Sequence, residues 1–451
     1  MWDLNNELWK MGITSKTQHN EVAPAQYEMA PIFATTNIAT DHNQLVMETM
    51  QKIALRHGLV CLLHEKPYAG INGSGKHNNW SLSTNDGMNL LDPGSTASEN
   101  VQFLVFLGAI IKAVDTHADI LRATCATAGN DHRLGANEAP PAIISIFMGD
   151  ELTEILETIS KSQKISTKDA QYIHVGVDTL PTIPKDNTDR NRTSPFAFTG
   201  NKFEFRMVGS AQSIAGVNVA LNTIAAEALD EIATRLEKAR DKNTEAAAII
   251  QETYKKHSRI IFNGNNYSDA WVKEAEKRGL PNVRNCVDAL KALVTPKALD
   301  LFEKYSVFSH KELHSRYEIY VETYAKQINI EAQAAIDMVK KQFLPVGIEY
   351  ATFLADSVAS FKGASVAAPV QEDLLKKVSA FLTSAYKNLT KQEVAVEKAK
   401  KTDDTVKKSE AYRDKVIPVM QDLRGDIDAL EMLVPADMWP VPTYTDLLFK
   451  L

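Results

Sequence analysis

The chain has 451 residues, which is enough for about two or three domains with ordinary hydrophobic cores. Its net charge is −7 and it contains no block of basic residues, which argues against nucleic acid and anionic membranes as its main partners. The cysteines Cys61, Cys125 and Cys286 are scattered without the spacing of a metal or redox site, and they fit a reducing cytoplasm. This composition favours small-molecule chemistry.

The N-terminus and the apolar runs indicate where the chain resides. Residues 1–7 contain neither a basic leader nor an apolar run, which predicts that no signal peptide is present. The longest apolar stretch, residues 103–111, is closed by Lys112 and is far shorter than the ~20 residues that cross a bilayer. We therefore expect a soluble, cytoplasmic chain with no membrane partner.

The sequence changes character near its middle. Residues 1–210 alternate short strands, glycine-rich turns and a few helices, whereas residues 211–435 read almost continuously as helix. This change predicts a mixed α+β domain at residues 1–215 and a helical C-terminal region at residues 216–451.

Two carboxylates flank a proline in the first predicted strand, residues 19–28. Glu21 and Glu28 are seven positions apart, so an unbroken strand would point them to opposite faces, and Pro24 excludes a helix that would align them. A strand broken at Pro24 aims both carboxylates at one point. Converging carboxylates must be neutralised, and their oxygen atoms are suitable ligands for a hard cation such as magnesium. The alternative is a pair of solvated surface glutamates.

Helices and a strand are predicted next along the chain. Asp41 is predicted to cap a helix that ends at His57, with Gly58 as its stop. Residues 59–63 are apolar and are predicted to form a strand. A second helix is predicted over residues 98–124, with an apolar face broad enough to pack on a sheet.

Residues 70–77 nearly match the phosphate-binding loop that ends in Gly-Lys and then Ser or Thr, but His77 occupies the last position. The following residues alternate like a strand, which argues against a nucleotide-switch loop. This alternation predicts one polar face, formed by His77, Asn79, Ser81 and Ser83, and one packed face, formed by Trp80 and Leu82. His77 would then point towards the same space as the two carboxylates, although a structural histidine is the alternative.

The loop 131–141 is rich in glycine and proline. Arg133 and Glu138 on such a loop suit the clamping of a substrate carboxylate and the abstraction of a proton. A surface turn is the alternative interpretation.

The predicted strand 203–207 places Glu204 and Arg206 on the face opposite its apolar residues. A carboxylate and a guanidinium on one face suit a metal next to a phosphate. Arg190 and Arg192 lie just upstream, and arginines before such a strand are typical of phosphoryl transfer. The alternative is an ion pair at the surface of the sheet.

The C-terminal half is predicted to be helical. A helix is predicted over residues 217–239, and residues 374–400 and 409–433 are predicted to form an antiparallel pair with a solvated lysine-rich turn between them. The apolar tail, residues 438–444, is predicted to dock on its own or on a neighbouring subunit.

Taken in order, these blocks resemble the signatures of glutamine synthetase. The segments His-Asn-Glu-Val-Ala-Pro at residues 19–24, Asn-Gly-Ser-Gly-Lys-His-Asn-Asn-Trp at residues 72–80 and Phe-Glu-Phe-Arg at residues 203–206 look like type III of that family. The resemblance implies an antiparallel sheet with flanking helices, incomplete at its N-terminus, followed by a long helical region. It also implies ATP-dependent ligation of ammonia to glutamate through γ-glutamyl phosphate, in glutamine biosynthesis and nitrogen metabolism, with two or three Mg²⁺ or Mn²⁺ ions.

The resemblance also implies a role for individual residues. The implied metal ligands are Glu21, Glu28, His77 and Glu204. The implied substrate-binding residues are Asn72, Gly73, Arg133 and Arg206 for glutamate, with Ser81 and Lys76 for the nucleotide. The implied catalytic residues are Glu138, which closes the site and deprotonates ammonium, and Arg192, which faces the transferred phosphoryl group.

Two departures from the family pattern stand out. A second arginine of the commoner types falls at Ala197, and Lys76, Arg190 or Lys202 is left to compensate. The family's N-terminal β domain and its Glu-x-Glu metal strand find no match here, so the chain resembles the C-terminal two thirds of a type III enzyme. Family members form dodecamers, and we expect a homo-oligomer, with a smaller assembly for this chain.

Three interpretations of function stay open at this point. The first is a glutamine synthetase, and the second is a truncated or non-catalytic relative with a binding or assembly role. The third is a ligase of the same superfamily that acts on another γ-glutamyl substrate.

Overall fold

The structure is a computed structural model that describes residues 1–23, 25–135, 137–161, 172–173, 183–184 and 193–448. The described chain forms two compact units, Met1–His314 and Ser315–Leu451. The first unit thus continues past residue 215, where the sequence predicts the end of the first domain, and that domain division stays a prediction.

The first unit contains the described strands, which form three small sheets. Their bounds are β1 Ser15–Asn20, β2 Tyr27–Pro31, β3 Gly75–Trp80, β4 Ile146–Phe147, β5 Tyr172–Ile173, β6 Ile183–Pro184, β7 Phe196–Phe198 and β8 Phe203–Gly209. The largest sheet has the order β3-β8-β7-β4 and is antiparallel except for its parallel β4–β7 pair. The other two sheets are the antiparallel pairs β1–β2 and β5–β6.

Helices surround these sheets. Their bounds in the first unit are α1 Trp2–Lys10, α2 Thr36–Arg56, α3 Val101–Thr116, α4 Ala118–Ala123, α5 Ala128–Arg133, α6 Asp150–Ser160, α7 Ala215–Lys238, α8 Lys242–His257, α9 Asp269–Lys277, α10 Cys286–Leu290 and α11 Pro296–Lys304. Short 3-10 turns follow α8 and α10. The predicted α+β class, an antiparallel sheet with flanking helices, is confirmed.

The core of the first unit lies between the four-stranded sheet and α3 and α7. The rings of Phe196 and Phe203 stack with centroids 4.6 Å apart, and Phe198 meets Phe203 edge to face at 5.3 Å. Helix α3 begins at a defined point because the Asn100 side chain accepts a hydrogen bond from the Phe103 amide. This core fixes β8, and therefore the side chains on its opposite face.

Several predicted elements have different bounds in the structure. Helix α2 starts at Thr36, before the predicted cap at Asp41, but Gly58 follows its end with a φ of 68°, as a stop residue should. The predicted strand 59–63 is wrong: these residues are irregular and Val60 is 76% exposed. The segment has no partner strand among the described residues, and an isolated apolar run cannot form a ladder.

Helix prediction is closer elsewhere in this unit. The helix predicted over residues 98–124 is two helices, α3 and α4, which are separated at His117. The helix predicted over residues 217–239 is confirmed as α7.

The second unit is helical. The helices from residue 310 onwards are α12 His310–Met338, α13 Leu344–Gly363, α14 Pro369–Lys400, α15 Thr405–Ala411, α16 Ile417–Glu431 and α17 Tyr444–Leu448, with π-helical turns at Val339–Phe343 and Tyr412–Val416. The predicted antiparallel pair is confirmed, since α14 packs along α15 and α16, and Asn388 donates a hydrogen bond of 2.9 Å to Asp426. In the tail, Trp439 stacks on Phe343 at 5.0 Å, so the predicted docking is within the chain.

None of the described helices combines the length and the apolar character needed to cross a lipid bilayer.

The fold predicts that Phe203 is a major contributor to stability. Phe203→Ala removes a fully buried ring stacked on Phe196, so we expect the free energy of unfolding of the first unit to fall by about 3–5 kcal/mol. Urea unfolding followed by circular dichroism measures the change. The control Phe33→Ala removes a ring that is 68% exposed and should cost less than about 0.5 kcal/mol. Equal losses in both variants would contradict this account of the core.

Candidate active site

The β1–β2 hairpin brings three ligand side chains together. His19 pairs with Glu28 across the hairpin, and its Nε2 lies 2.6 Å from Oε1 of Glu21 and 4.0 Å from Oε2 of Glu28. The ligand atoms of the three residues all lie within 4.8 Å of one another. The structure therefore brings Glu21 and Glu28 to one point, as the broken strand predicts. Pro24 itself lies outside the described residues.

The charges of this hairpin favour a cation. Burial raises the pKa of Glu28, and the neighbouring carboxyl of Glu21 raises it further, while the charge of His77 acts in the opposite direction. Two carboxylates that repel each other, beside an imidazole, are a donor set suited to Mg²⁺ or Mn²⁺ with water completing the shell. His19 was not among the ligands predicted from the sequence, although it stands two residues before Glu21.

Strands β3 and β8 supply the second group of side chains. Along β3, His77 and Asn79 are exposed while Asn78 and Trp80 are buried, so the predicted alternation is confirmed over these residues. Nδ1 of His77 lies 2.7 Å from Oε1 of Glu204 on β8. The charge of His77 also lowers the pKa of Glu28, so the hairpin lies within electrostatic reach of the sheet.

Glu204 carries a negative charge in a largely buried position. Burial would raise its pKa, but hydrogen bonding by His77 and the charge of Arg206 outweigh this and lower the pKa to about 2. The Arg206 guanidinium donates to Oε2 of Glu204 at 3.1 Å. The prediction that Glu204 and Arg206 share one face of the strand is confirmed, and both side chains are buried.

Arg133 holds the strand that carries these residues. It ends α5, is 4% exposed, and its guanidinium donates to the carbonyl of Arg206 at 3.0 Å and to Oδ1 of Asn130 at 3.3 Å. The glycine at position 75 leaves room for this arrangement, because a Cβ there would lie 2.0 Å from the guanidinium and displace it. The structure therefore shows Arg133 supporting β8, and its contact with a substrate stays a prediction.

The loop before β3 joins the hairpin to the sheet. The side chain of Gln26 donates to the carbonyl of Gly73 at 3.1 Å, next to Asn72. The Lys76 ammonium donates to the carbonyls of Gly209 at 3.1 Å, Ser210 at 2.5 Å and Gln212 at 2.6 Å, and burial lowers its pKa to about 8. Lys76 is thus engaged by the protein, and its nucleotide-binding role stays a prediction, as do the substrate roles of Asn72 and Gly73.

The loop after α5 has a constrained backbone. Asn137 and Glu138 have φ values of 55° and 66°, in the left-handed region that side chains rarely adopt. Such strain concentrates in functional loops. The residue that sequence reasoning missed here is Tyr267: burial raises its pKa, Glu138 raises it further, and the charge of Arg133 lowers it. Tyr267 therefore faces both predicted loop residues from a segment more than a hundred positions downstream.

Ser81 lies just after β3 beside a surface cavity. Its hydroxyl oxygen lies 2.7 Å from Oδ1 of Asn89 and 3.1 Å from the carbonyl oxygen of Asn201, and its single proton is donated to one of these two acceptors. Asn89, Asp92 and other residues line a cavity of about 400 Å³. The predicted contact of Ser81 with a nucleotide stays a prediction.

The predicted phosphate-site arginines are only partly accounted for. Arg190 and Arg192 lie outside the described residues. Ala197, which stands where the commoner types have an arginine, is fully buried in β7 directly opposite Glu204. Because residues directly opposite each other in a sheet point to the same face, Ala197 lies on the charged face beside Glu204, where little space is left for a larger side chain.

The lowered pKa of Glu204 predicts a specific acid sensitivity. Because the pKa is about 2 in the fold and 4.5 in a free glutamate, its ionised form stabilises the folded state fully above pH 4.5, and this contribution disappears as the pH falls to about 2. The Tm difference between wild type and Glu204→Gln, measured with EDTA, should therefore shrink from pH 5 to pH 2. The control Glu276→Gln alters an exposed carboxyl and should follow wild type throughout. A constant difference for Glu204→Gln would contradict the prediction.

Comparisons with known proteins identify the family. The family model described as the glutamine synthetase catalytic domain matches residues 1–145, and that of the glutamine synthetase C-terminal domain matches residues 245–362. The chain is 44% identical to a type-3 glutamine synthetase of Dictyostelium discoideum, with 98% of this chain and 62% of that protein covered. It is 43% identical to a glutamine synthetase of Butyrivibrio fibrisolvens, with 100% of this chain and 65% of that protein covered.

A third relative, a glutamine synthetase of Bacteroides fragilis, is 39% identical, with 100% of this chain and 63% of that protein covered. The chain spans less than two thirds of the length of these relatives. The matched domain models together cover more than half of its 451 residues. The chain belongs to the glutamine synthetase family.

Proposed function

We propose that this chain provides the catalytic site for ATP-dependent ligation of ammonia to L-glutamate, which gives L-glutamine. One observation carries the proposal: the Glu21 and Glu28 carboxylates converge in the β1–β2 hairpin, and the charge of His77, which pairs with Glu204 on the sheet, acts on Glu28. Converging carboxylates and imidazoles beside a buried guanidinium suit chemistry in which negative phosphate oxygens must be neutralised. ATP as the phosphoryl donor and self-association of the chain belong to the same proposal.

The proposed reaction has two steps. A γ-carboxylate oxygen of glutamate attacks the γ-phosphorus of ATP, so that ADP leaves and γ-glutamyl phosphate forms. Ammonia then attacks the acyl carbon, phosphate leaves, and the amide of glutamine results. Glu138 takes the proton from ammonium before this attack, and the constrained backbone of its loop supports a fixed position for that carboxylate.

The other residues bind the substrates and neutralise the charge of the phosphate oxygens. Asn72 and Gly73 bind glutamate, and Arg133 and Arg206 add positive charge from beneath the site. Ser81 and Lys76 contribute to the nucleotide site, and Arg192 faces the transferred phosphoryl group. Glu21 and Glu28 hold one cation, with His77 and Glu204 holding another; the Mg²⁺ or Mn²⁺ ions, two or three per site, supply the charge that offsets the phosphate oxygens.

A non-catalytic subunit with a binding or assembly role is the second candidate. It is favoured by the engagement of Lys76 and Arg133 with carbonyls of the protein, which leaves fewer cationic groups for substrates. A direct measurement of activity distinguishes the two candidate functions.

Formation of γ-glutamyl hydroxamate from glutamate, hydroxylamine and ATP tests the proposed reaction. We expect activity with Mg²⁺ or Mn²⁺, and a loss of at least ~100-fold in Glu204→Ala, because a buried charge of the site is removed. The control Glu276→Ala should keep full activity. Folded wild-type protein without activity would favour the non-catalytic candidate.

Titration with Mn²⁺, followed by electron paramagnetic resonance, tests the hairpin site. Since Glu21 and Glu28 share one point in space, we expect Glu21→Gln or Glu28→Gln to weaken binding at least about tenfold. Glu276→Gln should bind Mn²⁺ like wild type. Unchanged affinity in both hairpin variants would exclude them as ligands.

A further inference from the structure

Glu65 is a buried carboxylate that neither the predicted nor the proposed mechanism uses. It lies in the irregular segment between α2 and β3 and is 4% exposed. A charged side chain in this position is costly unless it is paired and hydrogen bonded. Its surroundings therefore indicate what it does.

The backbone approaches this carboxylate so closely at two glycines that an added Cβ would have to displace it. A Cβ on Gly129 would lie 2.1 Å from Oε2 of Glu65, and a Cβ on Gly209 would lie 2.5 Å from Oε1. Gly129 belongs to α5, which ends in Arg133, and Gly209 ends β8. Glu65 thus fills the space between the helix and the strand that carry the site residues.

Hydrogen bonds connect Glu65 to the turn after β8 and to the loop before β3. Its Oε1 accepts from the amide of Ala211 at 3.2 Å, in the turn that follows β8. Its backbone carbonyl accepts from the amide of Ser74 at 2.9 Å, in the loop that contains Asn72 and Gly73. Glu65 therefore contacts both the loop that contains Asn72 and Gly73 and the end of β8, the strand that carries Glu204 and Arg206.

Lys76 completes the arrangement from the other side of the turn. While Glu65 accepts from an amide of the turn 209–212, the Lys76 ammonium donates to three of its carbonyls. The negative charge of Glu65 acts on Lys76 and on Arg133, whose guanidinium holds the carbonyl of Arg206. The buried Arg133, the partly buried Lys76 and the carboxylate of Glu65 partly neutralise one another.

We propose that Glu65 is a positioning residue, which holds the loop 72–76 through its backbone carbonyl and the end of β8 and α5 with Arg133 through its carboxylate, and thereby sets the affinity for glutamate. The effect on glutamate rests on the proposed function. The fixing of the three elements rests on the contacts alone, so the two parts are tested separately.

A double-mutant cycle tests the contact itself. Gly129→Ala should lower the Tm by at least roughly 3 °C, since its Cβ displaces the carboxylate of Glu65. In Glu65→Ala the space is open, and alanine suits a helix better than glycine, so the same substitution should there leave the Tm unchanged or raise it. In Glu65→Gln the side chain keeps its size and the loss should persist. If Gly129→Ala lowers the Tm as much in the Glu65→Ala background as in wild type, the contact is overturned.

Kinetics test the consequence for the site. Because one charge-assisted contact corresponds to about a tenfold change in an equilibrium, we expect Glu65→Gln to raise the KM for glutamate about tenfold while the KM for ATP stays within about twofold. The matched control is Asp115→Asn, another buried carboxylate, which pairs with His257 and Arg259 away from the site. It should lower the Tm without changing the KM for glutamate.

Amide hydrogen exchange gives a readout that needs no activity. Residues 72–76 should exchange faster in Glu65→Gln than in wild type, and at the wild-type rate in Asp115→Asn. An inactive wild-type chain would count against the proposed function, while the cycle and the exchange rates would still decide the role of Glu65. An active chain in which Glu65→Gln keeps the wild-type KM and exchange rates would overturn the inference alone.

Discussion

Burial of charge along β8 is the constraint on which the rest of the site depends. All seven residues of this strand are buried, with aromatic side chains on one face and Glu204 and Arg206 on the other. Charges in such surroundings must be paired, because unpaired ions lose several kcal/mol of solvation. His77 on β3 and Arg206 on β8 itself meet this requirement for Glu204, while Arg133 from α5 holds the backbone of the strand, so the positions of His77 and Arg133 are tied to β8.

Local patterns were enough to predict the parts of the fold in which neighbours in sequence decide the structure. The alternation after Lys76 predicted which side chains of β3 face outwards, and the proline between Glu21 and Glu28 predicted the broken strand that became a hairpin. Helix α7 was also evident from its apolar spacing. In each case the period of the pattern matches the geometry of the element.

Other features depend on contacts between distant residues, and the sequence carries no local signal for them. Residues 59–63 have the composition of a strand but no strand to pair with among the described residues. Tyr267 reaches Glu138 from another segment, and Glu65 stands between His64 and Lys66, where a charge is normally a surface feature. Arg133 was predicted on a mobile loop, whereas it ends a helix and is nearly inaccessible to solvent. Tertiary burial decides the roles of these residues.

The two halves of the site are in different electrostatic states before any cation binds. The protein itself compensates Glu204, through His77 and Arg206. The hairpin carboxylates Glu21 and Glu28 repel each other, and the pKa of Glu28 rises in response. A cation that binds the hairpin relieves this repulsion and gains more there than beside Glu204, so binding would stabilise the hairpin more than the sheet. The buried half is thus compensated without an ion, whereas a cation at the half-exposed hairpin, as proposed, would change the electrostatics of that hairpin most.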